Sequence, residues 1–401
     1  MKDNKIKWGS IVPLIGGMSV ANKKTTGEDP SFLISYPAFA ANDSHCKNHF
    51  SDTPYIVVDP EENLIPSDEK FQDVDFISTV CPCAGLSMLN SNKNGSTKAR
   101  GADAVQNEWM YKSARLVLEQ IKPKVFWGEN APGLYSEMGA KVVENLRAIG
   151  KEFGYSFSLV KTDTFLHGIP QHRMRTFYFF WRDSEAPIFN YHKKQAPSLE
   201  EYLDQVPSDA SFMDVFFGLG DITDNYWFVY AKEKGWTRRQ LIDIDYKTML
   251  HWVIGEGYLE DLGEWCEKKE NEHGIKFVKH IKNKMSQGLG WWDGSPLIFK
   301  DATNAIIAKN SGIVHPGKDR GLTIREAMHL MGLPHDFEMT GDGYFNHICQ
   351  NVPVTTAADW TAEIVRFLKG EITEFGGSFV KQNNISQKVD YRETKPAKPL
   401  F

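Results

Sequence analysis

The sequence predicts an α/β fold with a largely parallel sheet, interrupted by a smaller inserted domain. Short apolar runs alternate with helical stretches over residues 1–185, a rhythm typical of parallel strands joined by crossover helices. Between residues 186 and 295 this rhythm gives way to mixed tryptophans, tyrosines and charges. We therefore predict a main domain of residues 1–185 and 296–375, a domain inserted at 186–295, and a poorly ordered polar tail at 376–401.

Each strand of the main domain is predicted from a short apolar run, and several runs end in polar residues. The runs are GSIVPLIGG (9–17), PYIVVD (54–59), VDFISTV (74–80), KVFWGEN (124–130), YSFSLVKTD (155–163) and TFYFFWR (176–182). In parallel α/β sheets, ligands bind at the carboxyl ends of the strands. Asp59, Cys83 and Glu129 lie at or just beyond such ends and are candidate site residues.

Apolar residues at helical spacing predict the main helices. These helices cover residues 104–121, 139–154, 324–331 and 359–375. Thr323 followed by Glu326 forms a capping box, which marks the start of the third helix.

Composition excludes several protein classes. The chain has 401 residues, of which 41% are hydrophobic and 24% are charged, as in ordinary folded proteins. Five cysteines do not make a disulfide framework. A signal peptide and an apolar run of membrane-spanning length are both lacking, so we expect a cytoplasmic protein. The net charge of −6 argues against nonspecific coating of nucleic acid, but it permits a local basic cleft.

Cys81 and Cys83 flank Pro82 at the end of a predicted strand. A structural zinc site commonly pairs two CxxC motifs, and this chain has neither that spacing nor a second pair. The CxxC redox motif is also lacking. Two alternatives remain open at this point: buried packing cysteines, or a nucleophile at a strand end whose thiolate form is favoured by nearby cations.

Two further segments carry polar residues in the same part of the fold. Glu129 and Asn130 end a strand, where such a pair often serves as a cap or turn. Gln171, Arg173 and Arg175 alternate at the period of a strand and so share one face. The arginines are either surface charges or a fork for an anion or the edge of a base.

Taken together and in this order, the segments resemble the DNA (cytosine-5) methyltransferase family. GSIVPLIGGMSVA is similar to the first cofactor loop of that family, and FAANDSHCKNHF and PYIVVD to its next two motifs. GLTIREAMHLMGLPHDFEMTG and ICQNVPVTTAADW are similar to its last two motifs. The resemblance implies a Rossmann-like, S-adenosylmethionine-dependent methyltransferase sheet, with a target-recognition domain inserted at 186–295.

The resemblance also implies a reaction. Cys83 is expected to add to carbon 6 of a flipped-out cytosine in DNA, so that carbon 5 can accept a methyl group. Glu129 is expected to donate to ring nitrogen 3, and Arg175 to bind the ring carbonyl. Asn130 is expected to position its loop, and Arg173 to hold the loop that carries the cysteine.

S-adenosylmethionine is the implied methyl donor. The residues that match the family's cofactor motifs are Ile15, Gly16, Gly17, Met18, Asn42, Asp43, Asp59, Pro82, Asn351 and Val352. Glycines in the first loop are expected to let the backbone approach the donor. No metal is expected.

The implied partner is double-stranded DNA, bound by a monomer in the cytoplasm of a bacterial or phage-infected cell. The segment 87–103 suits a mobile lid over the flipped base. The expected substrate-binding residues are Ser87, Arg100, Gln171, Arg238 and Arg239. A basic helical face of Lys276, Lys279, His280 and Lys282 is either a solvated surface or a further DNA contact.

The sequence departs from the family pattern in three places. Val12 and Leu14 occupy positions usually held by an aromatic residue and a glycine, and Ala84 follows the nucleophile where glutamine is usual. The last motif reads CQNV, at residues 349–352. Three alternatives therefore stand beside DNA methylation: the same chemistry on RNA, a carboxylated donor paired with Lys23 or Lys24, and an inactive DNA-binding homologue.

Overall fold

A nine-stranded mixed sheet forms the centre of the protein. The computed structural model describes residues 5–59, 69–87, 104–206, 226–235, 257–288, 297–298, 301–307, 313–318, 320–339 and 344–391. Its strands are β1 Trp8–Ile11, β2 Leu33–Ser35, β3 Tyr55–Val57, β4 Phe76–Val80, β5 Val125–Asn130, β6 Tyr155–Asp163, β7 Gln171–His172, β8 Met174–Arg182, β9 Leu297–Ile298, β10 Thr303–Asn304, β11 Ile313–Val314, β12 Phe379–Asn383 and β13 Lys388–Tyr391. The order in the central sheet is β13-β12-β6-β8-β5-β4-β1-β2-β3.

Helices connect the parallel strands, as the sequence predicts. They are α1 Gly17–Thr26, α2 Ser44–His49, α3 Glu69–Gln72, α4 Glu108–Leu116, α5 Ala140–Glu152, α6 Leu199–Leu203, α7 Tyr226–Glu233, α8 Leu259–Lys268, α9 Glu272–Ser286, α10 Ile324–Leu330, α11 Tyr344–Gln350 and α12 Val354–Leu368. The predicted capping box is confirmed, since Thr323 Oγ1 accepts from Glu326 N and Glu326 Oε2 accepts from Thr323 N. Among the described helices, none has both the length and the apolar character needed to cross a membrane.

A strand in the middle of the sheet, β8, runs antiparallel to its neighbours. β1 to β6 are mutually parallel where they pair, but β8 is antiparallel to both of its neighbours, β5 and β6. The connection from Asp163 to Met174 is too short for the crossover helix that a parallel return needs. As a consequence, β8 begins at the edge of the sheet where β4 and β5 end.

The last predicted helix lies closer to the N-terminus than the periodicity indicates. The prediction of a helix over 359–375 is wrong in its bounds, because α12 spans Val354–Leu368. Pro353 occupies the N-cap position, and the chain leaves the helix before Gly370, which has a φ of 72°. The helix packs along α1, and Ala357, Trp360 and Ile364 are buried.

The first part of the predicted insert belongs to the core, so the boundary at residue 186 is wrong. Ala186 N donates to Gly377 O at 2.7 Å, and Tyr202 Oη donates to His329 O at 3.1 Å. Apolar side chains of this stretch join the main hydrophobic core: Ala186, Phe189, Leu199, Tyr202 and Leu203. Burial of these side chains, rather than a strand–helix rhythm, attaches the stretch to the main domain.

The prediction of a poorly ordered tail from residue 376 is wrong for residues 379–391. β12 pairs in parallel with β6, and β13 pairs antiparallel with β12, so the tail adds two strands to the sheet. Phe379 is buried and stacks on Phe157 at 6.2 Å between ring centroids. The polar residue Gln382 is also buried, because its amide donates to Phe189 O and accepts from Phe189 N. The predicted poor order of residues 392–401 concerns residues outside the described part of the chain.

Removing the Phe379 ring should therefore destabilise the protein. Phe379→Ala deletes a side chain that is 4% exposed and should lower the free energy of unfolding by about 3–5 kcal/mol. Ile385→Ala, in the turn that follows β12, is a matched control because Ile385 is 43% exposed. Urea denaturation followed by tryptophan fluorescence measures both, and equal small effects would show that the tail does not contribute to the core.

Candidate active site

Three neighbouring strands bring Cys83, Glu129 and Arg175 to one edge of the sheet. Val80 at the end of β4 lies opposite Glu129 on β5, and Cys83 follows three residues later. Asn130 at the end of β5 lies opposite Thr176 on β8, next to Arg175. Arg175 Nε lies 2.5 Å from Glu129 Oε1, so the two side chains form an ion pair. The ends of β4 and β5 thus bring Cys83 and Glu129 to the edge where β8 begins with Arg175, and the roles of the three residues stay predictions.

Glu129 is a buried acid with an incomplete set of partners. It is 3% exposed, and burial raises the pKa of its carboxyl, although the charges of Arg175 and Arg173 act in the opposite direction. The contact with Arg175 has the distance of an ion pair but not the alignment of a hydrogen bond, so Oε1 is left without an aligned donor among the described residues. A carboxyl of this kind can hold a proton and donate it.

The pKa of the Cys83 thiol depends on the charges of Arg175 and Glu129. Part of the residue reaches solvent, but the thiol lies deep enough that burial raises its pKa. Arg175 lowers the pKa and Glu129 raises it. Protonation of Glu129 would remove the unfavourable charge, and thus a neutral Glu129 beside a charged Arg175 favours the reactive thiolate.

Cys81, in contrast, is a packing residue, which was one of the alternatives left open by the sequence. Its side chain is buried, with Sγ 3.5 Å from Thr79 Oγ1 and 3.7 Å from Ser113 Oγ. Tyr36 Oη lies 3.1 Å from the same Ser113 hydroxyl. This network lies beneath the loop that carries Cys83 and was not predicted, because its members come from distant parts of the chain.

Asn130 orients the strand end rather than facing the open site. It is fully buried, its Oδ1 accepts from Ala131 N at 2.9 Å, and its Nδ2 lies 3.3 Å from Met110 Sδ. These contacts fix the turn that follows Glu129. They agree with the predicted role of positioning the loop.

Arg173 does not hold the cysteine loop, so that prediction is wrong. The side chain is buried, and its guanidinium donates to Ile306 O at 3.1 Å, Cys349 O at 2.6 Å and Asn351 O at 3.2 Å. Burial lowers the pKa of Arg173 to about 9, which leaves the group charged at neutral pH. Arg173 therefore fixes the backbone of the last motif, on the cofactor side of the site.

Gln171 is not placed to bind substrate, so that prediction is also wrong. The residue is 0% exposed. Its Nε2 donates to Leu330 O at 2.9 Å, and its Oε1 accepts from Ile306 N at 3.4 Å. Both ends of the amide are occupied by backbone, so Gln171 joins β7 to the end of α10 instead.

The first cofactor loop makes a tight turn between β1 and α1. Gly16 has a φ of 106°, and Gly17 N donates to Asn351 Oδ1 at 3.0 Å. A Cβ at Gly17 would overlap Asn351 Oδ1 and Val352 O, so this glycine permits the approach of the last motif. Within the CQNV motif, Asn351 is the residue whose side chain reaches the cofactor loop.

Val12 and Leu14 carry the strain that glycine would avoid in this loop. Both have a φ of 51°, which is an outlier for a β-branched residue such as Val12. Asp43 stabilises the turn because its Oδ1 accepts from Leu14 N at 2.8 Å. Burial raises the pKa of Asp43 to about 7, and its place in the core makes it a support of the loop.

The other predicted cofactor residues surround this loop at different depths. The side chains of Ile15, Met18 and Val352 are buried, so only their backbone could face a ligand. Asn42 and Pro82 are half-buried, and Asp59 is exposed just after β3. Asn351 Nδ2 is a buried donor without a hydrogen-bond partner among the described residues. Such a donor next to glycine backbone suits the carboxylate of S-adenosylmethionine, so the residues present fit this cofactor.

Other predicted residues lie elsewhere. The structure does not describe the segment after Ser87, predicted as a lid, or the predicted substrate-binding residues Arg100, Arg238 and Arg239. Ser87 itself is half-buried. Lys23 Nζ pairs with Asp29 Oδ1 at 2.6 Å, and its ammonium group lies 5.7 Å from the Phe50 ring centroid.

The described residues hold one group with the donor types of a metal site. Ligand atoms of His167, His192 and Asp359 lie within 4.8 Å of one another. However, Lys194 Nζ already lies 2.5 Å from Asp359 Oδ1, and the other ring nitrogen of His167 lies 2.7 Å from Thr162 Oγ1. The lysine charge and the occupied imidazole make this a structural network, and the expectation of no metal stays a prediction.

The fold and the site define a methyltransferase of the S-adenosylmethionine-dependent class. The model of the C-5 cytosine-specific DNA methylase family matches residues 10–366, so the chain belongs to this family. The family uses S-adenosylmethionine as its methyl donor.

Curated relatives agree with this assignment, and solved structures share the fold. The type II methyltransferase M.Eco47II of Escherichia coli is 23% identical over 333 residues, which are 81% of this chain and 72% of that protein. M.AgeI of Thalassovita gelatinovora is 30% identical over 112 residues, or 28% of this chain and 24% of that protein. A DNMT2 variant of Spodoptera frugiperda has a TM-score of 0.51 at 15% identity and covers 90% of this chain and 99% of that one. The Entamoeba histolytica methyltransferase EhMeth has a TM-score of 0.55 at 11% identity, with 91% and 99% covered.

Loss of the Asn351 side chain should weaken cofactor binding specifically. Asn351→Ala removes the acceptor of Gly17 N and the unpartnered Nδ2 donor, so we expect KM for S-adenosylmethionine to rise by about tenfold or more. The KM for the nucleic acid should stay within about twofold. Steady-state kinetics with each substrate varied in turn gives both values, and a rise confined to the nucleic acid KM would contradict this role.

Proposed function

We propose that this protein methylates carbon 5 of a cytosine in double-stranded DNA, through a covalent bond from Cys83 to carbon 6. The observation that carries the proposal is the meeting of Cys83, Glu129 and Arg175 at one edge of the sheet, with Glu129 Oε1 2.5 Å from Arg175 Nε. A thiol, a buried acid and a cation are the groups that this reaction needs. The family description, a DNA methylase, supports DNA as the substrate.

Cys83 acts as the nucleophile. Its thiolate forms a bond to carbon 6, and the electron pair of the 5,6 double bond moves toward carbon 5. S-adenosylmethionine, when bound, supplies the electrophilic methyl group. After the carbon 5 proton leaves to a base, the bond from sulfur to carbon 6 breaks and the thiolate is regenerated.

Glu129 and Arg175 stabilise the charge that the thiolate brings to the ring. Because burial raises the pKa of Glu129, its carboxyl can be protonated and can donate to ring nitrogen 3. A neutral Glu129 no longer holds Arg175 as an ion pair, which leaves the guanidinium free to bind the ring carbonyl. Both interactions strengthen as charge develops on the ring, as transition-state stabilisation requires.

The target base must leave the duplex to reach this site, at a cost of a few kcal/mol. The alternative of a carboxylated donor paired with Lys23 or Lys24 stays a prediction, with Lys23 already paired to Asp29 at the surface and Lys24 exposed. An inactive DNA-binding homologue would not need a thiol at the same strand edge as a paired acid and arginine.

Covalent trapping tests the proposal directly. In the presence of S-adenosylmethionine, a DNA duplex that carries 5-fluorocytosine at the target should form a stable adduct, because after methyl transfer the fluorine on carbon 5 cannot leave as a proton does. Cys83→Ala should abolish both the adduct and turnover, whereas Cys81→Ala, the matched control two residues away, should form it and lose only stability. Denaturing gels and mass spectrometry detect the adduct. An adduct that survives Cys83→Ala, or one formed with RNA alone, would contradict the proposal.

The raised pKa of Glu129 predicts a pH dependence. The protonated carboxyl is the active form, so kcat/KM should fall as pH rises through the raised pKa. Glu129→Gln keeps a donor that cannot be deprotonated, so its residual rate, lower by about 10²–10⁴-fold, should lack this alkaline decrease. The kcat/KM profiles of both proteins, measured between pH 5 and 10, check this; an unchanged alkaline decrease in the variant would assign it to another group.

A further inference from the structure

One tyrosine and two lysines meet at the edge of the sheet that also carries the candidate active site. Lys381 Nζ lies 4.2 Å from the centroid of the Tyr135 ring, and Lys161 Nζ lies 5.9 Å from the same centroid. All three residues are half-buried, and we call them the Tyr135 cluster. An ammonium group is attracted to the face of an aromatic ring, so the tyrosine holds both positive charges close together.

The strand register places both lysines on one face of the sheet. Lys161, near the end of β6, is paired with Asn383 of β12, and Lys381 lies two residues before Asn383. Side chains alternate along a strand, so Lys161 and Lys381 point to the same side. On its other side, Lys161 is paired with Thr176 of β8, which is paired in turn with Asn130 at the end of β5. The two lysines therefore lie two and three strands, or about 10–15 Å, from the end of β5.

Tyr135 connects the cluster to the loop that carries Cys83. It is the last residue of a short 3₁₀ helix, Pro132–Tyr135, which follows the end of β5 closely. Gly133 of this helix lies directly against the backbone of Leu86, since a Cβ at Gly133 would overlap Leu86 O. Leu86 N in turn donates to Cys83 O at 3.0 Å. A duplex whose target base reaches Cys83 therefore has its backbone close to the cluster.

The cluster concentrates positive charge that the fold does not neutralise at Lys161. Two ammonium groups beside one ring repel each other. Lys161 forms no ion pair with the residues that the structure describes. Asp163, the next acid along β6, accepts instead from the backbone N–H groups of Phe165 and Arg173. An anionic group bound at the cluster would relieve this repulsion.

A phosphate of the DNA backbone has the charge and the position that the cluster requires. Lysine ammonium groups bind phosphates as point charges, and most protein contacts to DNA are made to phosphates and sugars. At 3.4 Å per nucleotide along one strand, the distance from the end of β5 corresponds to about three or four nucleotides. Lys381 lies beyond residues 10–366, which match the family model, so its contribution belongs to the tail of this chain.

We propose that Lys161 and Lys381, held beside the Tyr135 ring, bind phosphates of the target DNA on one side of the flipped cytosine. This inference rests on the proposed function, since it presumes a DNA substrate. It gives the tail strand β12 a role in holding DNA in a manner that does not depend on base sequence.

The test uses the full-length protein and a duplex that contains the site it methylates, located by single-base sequencing of methylated DNA. Fluorescence anisotropy at several salt concentrations gives the affinity and its salt slope. Lys161→Gln with Lys381→Gln should weaken binding at least tenfold and lower the magnitude of the slope by about 2, since each phosphate contact contributes about 0.9. The matched control, Lys122→Gln with Lys151→Gln, removes the same charge from exposed sites at the opposite edge, where β5 and β6 begin, and should change neither value.

Tyr135 and the target preference give two further readouts. Tyr135→Phe keeps the ring and should bind like the wild type, whereas Tyr135→Ala should lower the affinity and the salt slope because the lysines lose their support. Phosphates are the same in every sequence, so the preference for the methylated site over other duplexes should stay unchanged in all these variants.

The outcomes separate this inference from the proposed function. If the lysine double variant binds with the affinity and slope of the wild type while Cys83 still forms its adduct, the inference is overturned and the proposed function stands. A loss of stability in urea without a change in slope would also overturn it, since the cluster would then support only the fold. If the wild-type protein forms no adduct with any DNA, the proposed function fails, and if it binds no duplex, the inference fails as well.

Discussion

The Arg173 guanidinium is the buried charge on which the arrangement of the site depends. It joins three backbone carbonyls, of Ile306, Cys349 and Asn351, that are far from it in sequence. A buried charge is costly unless its donors are satisfied, so the segments that supply these carbonyls are held where they can accept. The arginine thus fixes the end of α11 and the turn before α12 against the start of β8.

This arrangement connects the catalytic residues to the cofactor loop between β1 and α1. Asn351 accepts from Arg173 with its backbone oxygen and from Gly17 N with its side-chain oxygen, so one residue joins the segment just before β8 to the cofactor loop. Two residues further along the chain, in β8, Arg175 contacts Glu129. The short stretch from Arg173 to Arg175 therefore contacts both the catalytic acid and the segment that supports the cofactor loop.

The sequence predicted the positions of the catalytic residues better than the contacts that surround them. Cys83 and Glu129 follow apolar strands, and parallel strands bring their ends together, so their meeting with Arg175 could be inferred from local patterns. The partners of Arg173 and Gln171 could not, because they are backbone groups more than a hundred residues away. The strands of the tail were not predicted for a similar reason. Polar residues such as Gln382 break the apolar pattern expected of a strand, and β12 forms because it pairs with the distant strand β6.

The most direct test of this account is calorimetric binding of S-adenosylhomocysteine to an Arg173→Lys variant. Lysine keeps the charge but cannot reach three carbonyls at once, so the account predicts a Kd weakened by about tenfold or more. The far-UV circular dichroism spectrum of the same sample should match that of the wild type, which shows that the fold is intact. A variant that binds S-adenosylhomocysteine as tightly as the wild type would contradict the claim that Arg173 positions the cofactor loop.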